Sequence, residues 1–270
     1  MREMRDTDER TANRRVRRRG SSAEQHLAER HFAHVASRYT SLRQTDDDAV
    51  FQIRDRLPGG PLVGVDVGAG TGRYTALLAK ILGDRASVHA VDLSQDMLLV
   101  LLQDQRQGER SVACCEAERL PIADSSVDFV TTFNAVHHFD LDRFVQEAAR
   151  VLAPNGHLFI YTRTPHQNAD SIWGRAFPGF TSRETRLHDE ATLCQKVQRL
   201  GTVNVKSFSF SRRATPTKLA ERVRGRAYST FALYEPDELE DALERFLKAM
   251  DDRDEVHWHD HNVLIHVRRA

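Results

Sequence analysis

The stretch LVGVDVGAGTGRYTALLAKIL, residues 62–82, decides the fold. It opens as a short apolar run that is typical of a β-strand (62–67) and passes through three glycines into a helical pattern that ends at Gly83. Strand–turn–helix units of this kind build α/β proteins, in which parallel strands alternate with helices. We therefore expect the glycine turn to lie at the carboxyl end of the first strand, where doubly wound sheets bind their ligands.

The same alternation continues along the chain and predicts the whole sheet. A hairpin with a helical excursion inside it is expected at the end, because the last two strands alternate in polarity. The predicted fold is a Rossmann-like, doubly wound, mostly parallel α/β sheet of seven strands with an antiparallel last strand and helical cap insertions. The predicted strands are 62–67, 87–91, 111–115, 127–133, 156–162, 202–212 and 262–267, and the predicted helices are 24–39, 71–82, 94–105, 140–152, 189–200 and one that begins at Pro236.

Composition divides the chain into a tail and one domain. Residues 1–22 are rich in Arg and nearly free of large apolar side chains, so we expect a disordered tail. An Arg-rich arm for RNA or for a protein partner is the alternative interpretation. Residues 23–270 are expected to form a single domain with a cofactor-binding core at about 55–162 and cap insertions at about 164–185 and 213–235.

Global properties are typical of a soluble, globular protein. The 270 residues carry 39 basic and 39 acidic side chains, so net charge does not favour nucleic acid or an anionic membrane. We see no apolar run long enough to span a membrane and no signal peptide. Three cysteines without metal-type spacing fit a reducing compartment. We expect a cytoplasmic monomer or homodimer.

The residues around the turn indicate which nucleoside it holds. Asp92 ends the second predicted strand 20 residues after Gly72, where a carboxylate accepts both hydroxyls of a ribose. The glycine spacing is Gly-x-Gly-x-Gly, and Arg73 stands where a dinucleotide fingerprint has its last glycine. Asp66, inside the first strand, would repel a pyrophosphate but can pair with an amino group. A ligand with a ribose and an ammonium but no phosphate is S-adenosylmethionine.

Five segments in order carry a resemblance to a known family. VDVGAGTGRYT, AVDLSQDML, CCEAERLPIADSSVDFV, NAVHHF and ARVLAPNGHLFIY resemble successive motifs of the class I S-adenosylmethionine-dependent methyltransferases, in the ubiquinone-biosynthesis-type branch. FAHVASRY (32–39) resembles the segment that precedes the sheet in that branch. The resemblance covers residues 32–162 and implies an enzyme that uses S-adenosylmethionine and releases S-adenosylhomocysteine.

The resemblance also implies roles in cofactor binding for individual residues. For the methionine part, it implies that Asp66 pairs with the amino group, that the turn Gly68, Ala69, Gly70 and Gly72 lines the methionyl chain, and that Phe133 and Asn134 face the sulfonium. For the adenosine part, it implies that Asp92 binds the ribose, that Leu93 and Met97 pack on the adenine, and that Glu116 and the Ala117 backbone contact the adenine edge. It also implies that Tyr39 closes the pocket.

Histidines are the candidate catalytic groups. His137 and His138 follow the fourth predicted strand at the ligand edge, and either could act as a general base, with His138 the better placed. The alternative is that they pack on the cofactor. HWHDH (257–261) contains three His at period two, but we interpret it as a solvated loop beside the last strand and predict no metal site.

Acceptor specificity is expected in the cap insertions. Trp173, Phe177, Tyr228 and Phe231 are the candidate substrate-binding residues, with a second small core under the cap as the alternative use of these rings. Arg175, Arg183, Arg224 and Arg226 are candidates for binding a carboxylate or phosphate.

Three functions compete at this stage. A small-molecule methyltransferase, acting on an O, N or C nucleophile, is favoured. An RNA or other nucleic-acid methyltransferase would use the Arg-rich tail, but the fourth strand is followed by FNAVHH without the proline motif of amino-methylating DNA enzymes. A non-catalytic S-adenosylmethionine-binding subunit is the third possibility.

Overall fold

The computed structural model describes residues 42, 44–103, 111–250 and 253–270. The predicted tail (1–22), the predicted helix 24–39 and Tyr39 lie outside the described residues. The strands are β1 Leu62–Val67, β2 Ala86–Asp92, β3 Val112–Cys114, β4 Val127–Phe133, β5 Leu152–Thr162, β6 Val203–Ala214 and β7 Val256–Arg268. The α-helices are α1 Asp47–Arg54, α2 Arg73–Leu82, α3 Gln95–Gln103, α4 Leu141–Val151, α5 Pro165–Asp170, α6 Ile172–Ala176, α7 Phe180–Arg183, α8 Glu190–Val197, α9 Pro216–Arg224 and α10 Pro236–Lys248.

The seven strands form one sheet in the order β3-β2-β1-β4-β5-β7-β6. Strands β1 to β5 pair in parallel, and β7 is antiparallel to both of its neighbours. The predicted fold class is therefore confirmed. The order reverses between β1 and β4, so the crossovers leave these two neighbouring strands toward opposite sides and open a crevice at their carboxyl ends.

Apolar side chains fill both faces of the sheet. One face packs against α4 and α8, with Phe144 and Val197 fully buried, and the other packs against α1 and α2, with Ile53 and Leu78 fully buried. Such two-sided burial explains why the parallel strands read as nearly continuous apolar runs. Gly64 on β1 is required by this packing, because a Cβ there would lie 2.1 Å from the Phe129 ring.

The last strand is longer than the sequence predicts. β7 begins at Val256, so the segment HWHDH (257–261) lies on a strand and the solvated-loop interpretation is wrong. The cause is pairing: β6 continues to Ala214, and its register with β7 runs unbroken from Val203↔Val267 to Ala214↔Val256. Among the described residues, no cluster of three His, Cys, Asp or Glu side chains has an arrangement that could hold a metal ion.

The cap is built from both insertions and from α10. Helices α6 and α7 pack on α9 and α10 around a shared apolar cluster that includes Trp173, Leu219, Phe231 and Phe246. The cap therefore reaches past the expected boundary at residue 235, because the buried face of α10 completes its core. None of the helices in the described ranges has the length and apolarity needed to cross a membrane.

A buried histidine pair joins β5 to β7 and predicts a pH-dependent stability. His157 Nδ1 and His266 Nε2 lie 2.9 Å apart, within hydrogen-bond distance. Burial, followed by the nearby Arg268 charge, lowers the pKa of His157. Burial, followed by the neighbouring His157, lowers the pKa of His266 to about 4. The folded state thus binds fewer protons than the unfolded chain, whose histidines titrate near an ordinary pKa of about 6.5.

We expect the free energy of unfolding to be highest above pH ~6.5 and to fall as the pH drops toward the folded-state pKa values of the two histidines. Urea unfolding between pH 7.5 and 4.5 measures this loss. The variant that carries both His157→Asn and His266→Asn should lose much of the slope, and an identical slope in the two proteins would contradict the assignment.

Candidate cofactor and acceptor cavities

The glycine turn adopts a backbone that favours glycine. Gly68, Gly70 and Gly72 have φ of 71°, 57° and 76°, in the left-handed region. The N–H groups of Gly68 and Ala69 donate to the Val91 carbonyl at 2.9 and 3.0 Å, which fastens the turn to β2. A Cβ on Gly68 would lie 2.5 Å from the Ala135 methyl. The turn is therefore held close over the crevice, with the first turn of α2 behind it.

Asp66 is fixed at the point where the strand order reverses. Its side chain is almost fully buried, and its two oxygens accept hydrogen bonds from the hydroxyls of Thr75 on α2, at 2.6 Å, and Thr131 on β4, at 3.1 Å. The carboxylate is thereby oriented from two sides while it remains on the wall of the crevice. A negative charge in this place complements a cationic ligand group.

Asp92 ends β2 and faces the same crevice. Its carboxylate accepts the Gly70 N–H at 2.7 Å and the Ser94 N–H at 2.8 Å. Burial raises the pKa of Asp92 above its ordinary value, and these backbone hydrogen bonds oppose part of that rise. The second acidic motif and the glycine turn are thus in direct contact, as the sequence spacing implies.

These elements enclose a cavity of about 1010 Å³, including its open mouth, which we call the cofactor cavity. Gly72 is buried at the start of α2 and is not part of the lining. The lining also contains residues that the sequence analysis missed: Thr71, Arg73, Tyr74, Ser94, Cys115, Glu118, Ala135 and Phe139. The predicted residues on its wall are Asp66, Gly68, Ala69, Gly70, Asp92, Leu93, Met97, Glu116, Ala117, Phe133, Asn134 and His138.

A second cavity of about 910 Å³, which we call the acceptor cavity, lies between the sheet edge and the cap. The two cavities share Tyr74, Asn134 and His138 on their walls. Asn134 follows β4 with φ of 53°, and its N–H donates to the Tyr161 carbonyl at 2.7 Å. His137 lines the acceptor cavity but not the cofactor cavity. The geometry suits transfer of a group between two bound molecules that meet at this junction.

Comparison with known proteins agrees with this architecture. The model of the methyltransferase domain family matches residues 65–160. The uncharacterised methyltransferase Rv3342 of Mycobacterium tuberculosis is 32% identical over 173 residues, which are 64% of this chain and 67% of that protein. The chain belongs to the class I S-adenosylmethionine-dependent methyltransferases.

Other relatives share a smaller part of their length with this methyltransferase. The biotin biosynthesis bifunctional protein BioHC of Cellvibrio japonicus is 36% identical, and the match covers 50% of this chain and 26% of that protein. The probable tRNA methyltransferase 9B of Mus musculus is 31% identical over 48% of this chain and 28% of its own. The chain thus spans about a quarter of the length of these two relatives.

The fold also matches that of a solved complex with the cofactor. Phosphoethanolamine N-methyltransferase 2 of Haemonchus contortus, solved with S-adenosylmethionine, aligns with a TM-score of 0.58 at 20% identity, over 93% of this chain and 61% of that one. This match shows that the two proteins share a fold.

The structure places most of the predicted substrate-binding aromatics outside the acceptor cavity. Only Tyr228 lines it. Trp173, Phe177 and Phe231 are buried in the core of the cap, where the Trp173 and Phe231 rings meet edge to face at 5.2 Å. Aromatic rings with alternating positive edges and negative faces favour such clusters. These three residues support the cap, which forms one side of the cavity.

The predicted anion-binding arginines also have other partners. Arg175 pairs with Asp170, Arg183 and Arg224 pair with glutamates of α10, and Arg226 donates to the Phe231 carbonyl. None of the four lines either cavity. The arginines that do line the acceptor cavity are Arg163, Arg212 and Arg222, which no sequence motif marks.

We expect Asp92→Asn to weaken cofactor binding by roughly 10- to 150-fold, because a charge-assisted hydrogen bond of about 1.5–3 kcal/mol to the ribose is lost. Calorimetric titration with S-adenosylhomocysteine measures the change. Asp96→Asn is the matched control, since Asp96 is an exposed residue of α3 outside the cavity lining. Equal affinity in the two variants would contradict the role of Asp92.

Proposed function

We propose that this methyltransferase methylates a small molecule bound in the acceptor cavity. The observation that carries the proposal is the junction at Tyr74, Asn134 and His138, where the cavity under the cap meets the cofactor cavity. The name of the related BioHC, a biotin biosynthesis protein, supports a small-molecule acceptor. A concave space of about 910 Å³, including its open mouth, suits a small acceptor better than a folded nucleic acid.

The residues of the cofactor cavity fit S-adenosylmethionine chemically. We assign the ribose hydroxyls to Asp92 and the amino group to Asp66, whose carboxylate is oriented by two threonine hydroxyls. Leu93 and the buried Met97 offer apolar surface to the adenine. We further assign the adenine edge to Glu116 and the Ala117 backbone, the methionyl chain to the glycine turn, and the sulfonium side to Phe133 and Asn134.

Methyl transfer then depends on alignment and on removal of a proton from the acceptor. The bound cofactor supplies an electrophilic methyl group on its sulfonium. The chain contributes a fixed junction: Asn134, in the left-handed region, follows β4, and the 3-10 helix Val136–His138 brings His138 to the wall of both cavities. We assign His138 as the general base and His137 as the alternative base, since an imidazole is neutral and basic near pH 7.

Cofactor binding and turnover can be measured in sequence. Calorimetry with S-adenosylmethionine, S-adenosylhomocysteine and NADH should give micromolar binding of the first two and none of NADH. Release of S-adenosylhomocysteine is then assayed with a panel of small acceptors and, separately, with total tRNA. Turnover with tRNA alone would replace the proposal by RNA methylation, and cofactor binding without turnover on any acceptor would favour a non-catalytic subunit.

We expect His138→Ala to lower kcat by about 100-fold or more while the affinity for S-adenosylhomocysteine stays within a few-fold, because general-base catalysis contributes roughly 10²–10⁴ in rate. The readout is kcat with the best acceptor from the panel. His166→Ala is the control, since His166 is exposed on α5 and lines neither cavity. An unchanged kcat for His138→Ala would exclude the base role.

A further inference from the structure

The charges on the wall of the acceptor cavity are not evenly compensated. Three arginines and three carboxylates line it: Arg163, Arg212, Arg222, Asp46, Glu184 and Asp260. In a partly buried space, each charge without a partner raises the free energy until an opposite charge is bound. The pairing of these six groups therefore indicates which charge the acceptor carries.

Two of the carboxylates are held by two of the arginines. Asp46 accepts from the Tyr161 hydroxyl at 2.6 Å and from the guanidinium of Arg212. Arg212 Nε lies 3.4 Å from Asp260, whose other oxygen lies 3.0 Å from Arg163 Nη2. These four charged side chains alternate in sign along one wall, and each is at least four-fifths buried. We call this alternating set the charge ladder.

The third carboxylate, Glu184, is neutralised by Arg186, which is not part of the cavity lining. Glu184 receives Arg186 Nη2 at 2.5 Å and Nε at 2.9 Å, and it also accepts the Thr230 hydroxyl at 2.7 Å. Burial raises the pKa of Glu184, but the hydrogen bonds and charge of Arg186 outweigh it, so the pKa is lowered overall. Glu184 is therefore ionised and already paired.

Arg222 is the lining charge without a carboxylate partner among the described residues. It lies on α9 and is half-buried, and its guanidinium carbon is 6.0 Å from the centroid of the Trp258 ring. With this cation–π contact, the N–H donors of the Arg222 guanidinium have no carboxylate partner in the described ranges. The cavity thus has one uncompensated positive charge, which lies on the cap.

We propose that the acceptor carries an anionic group, such as a carboxylate or phosphate, which Arg222 binds while the methyl-accepting atom lies at the junction of the cavities. The inference rests on the proposed function of the acceptor cavity. A cationic acceptor would have to displace an arginine from Asp46, Asp260 or Glu184, whereas an anion completes the pairing of Arg222. Because Arg222 belongs to the cap, it acts on acceptor choice and not on cofactor binding.

The test uses probes of one shape and different charge. Benzoate, benzamide and benzylamine are titrated by ligand-observed NMR into the complex of the full chain with S-adenosylhomocysteine at low salt, and inorganic phosphate is titrated as a second anion. We expect benzoate to bind about tenfold more tightly than benzamide, and benzylamine to bind more weakly than either. Phosphate competition with benzoate would extend the site to phosphorylated acceptors, and its absence would restrict the site to carboxylates.

Variants of α9 assign the effect to one residue. Arg222→Gln should bring benzoate affinity down to that of benzamide, and Arg222→Lys should retain part of the preference. Arg224→Gln is the matched control, because Arg224 lies on the same helix, is exposed and pairs with Glu240 at 3.1 Å. S-adenosylhomocysteine affinity should be the same in all four proteins, which also shows that the variants are folded.

Two results would overturn the inference. Equal binding of benzoate and benzamide by the wild-type complex, or a benzoate preference that persists in Arg222→Gln, would refute the anion site while the proposed methyl transfer stands. Failure of the wild type to bind S-adenosylhomocysteine would instead refute the proposed function on which the inference rests.

Discussion

The reversal of strand order between β1 and β4 is the constraint on which the rest of the molecule depends. Parallel strands present their carboxyl ends at one edge, and crossovers that leave to opposite sides keep that edge free of helix. The sheet there is held together by a polar contact as well as by packing: Asp66 on β1 accepts the hydroxyl of Thr131 on β4. The glycine turn, Asp92 and Asn134 all face this crevice because each lies at or just after the end of a strand.

The cofactor half could be predicted because its signals are local. The positions of a strand and of the glycine turn that follows it are set by a short stretch of sequence. Asp66, Gly70 and Asp92 accordingly lie on the wall of one cavity, and their roles in cofactor binding stay predictions. Tyr74 was not predicted as a cavity residue, because an aromatic ring in the first turn of a helix is typical of the hydrophobic core. It is indeed buried, stacked on Phe133 at 4.1 Å, yet it also forms the boundary between the two cavities.

The acceptor half could not be predicted because its partners are far apart in sequence. Asp46 and Arg212 are 166 residues apart in sequence, and only the complete fold brings them together. Trp173 and Phe231 have the spacing and composition expected equally of a pocket and of a core, and only the packing of α6 against the cap decides for the core. No turn residue separates HWHDH from the last strand. Its place in β7 depends on pairing with the long strand β6 and is not evident from the local sequence.

The charged residues of the acceptor cavity fall into two groups, the charge ladder and Arg222, and this difference explains how one sheet can serve different acceptors. The charge ladder joins the chain before α1 to β5 and β6 through Asp46, and removing one partner from such a buried set costs about 3–5 kcal/mol, so its members are committed to structure. Arg222 is under no such constraint, because its helix is inserted between β6 and β7 and its charge pairs with no carboxylate in the described ranges. A substitution there changes the charge offered to the acceptor without disturbing the crevice that holds the cofactor. Selection on acceptor chemistry can therefore act on the cap while the strand ends stay fixed.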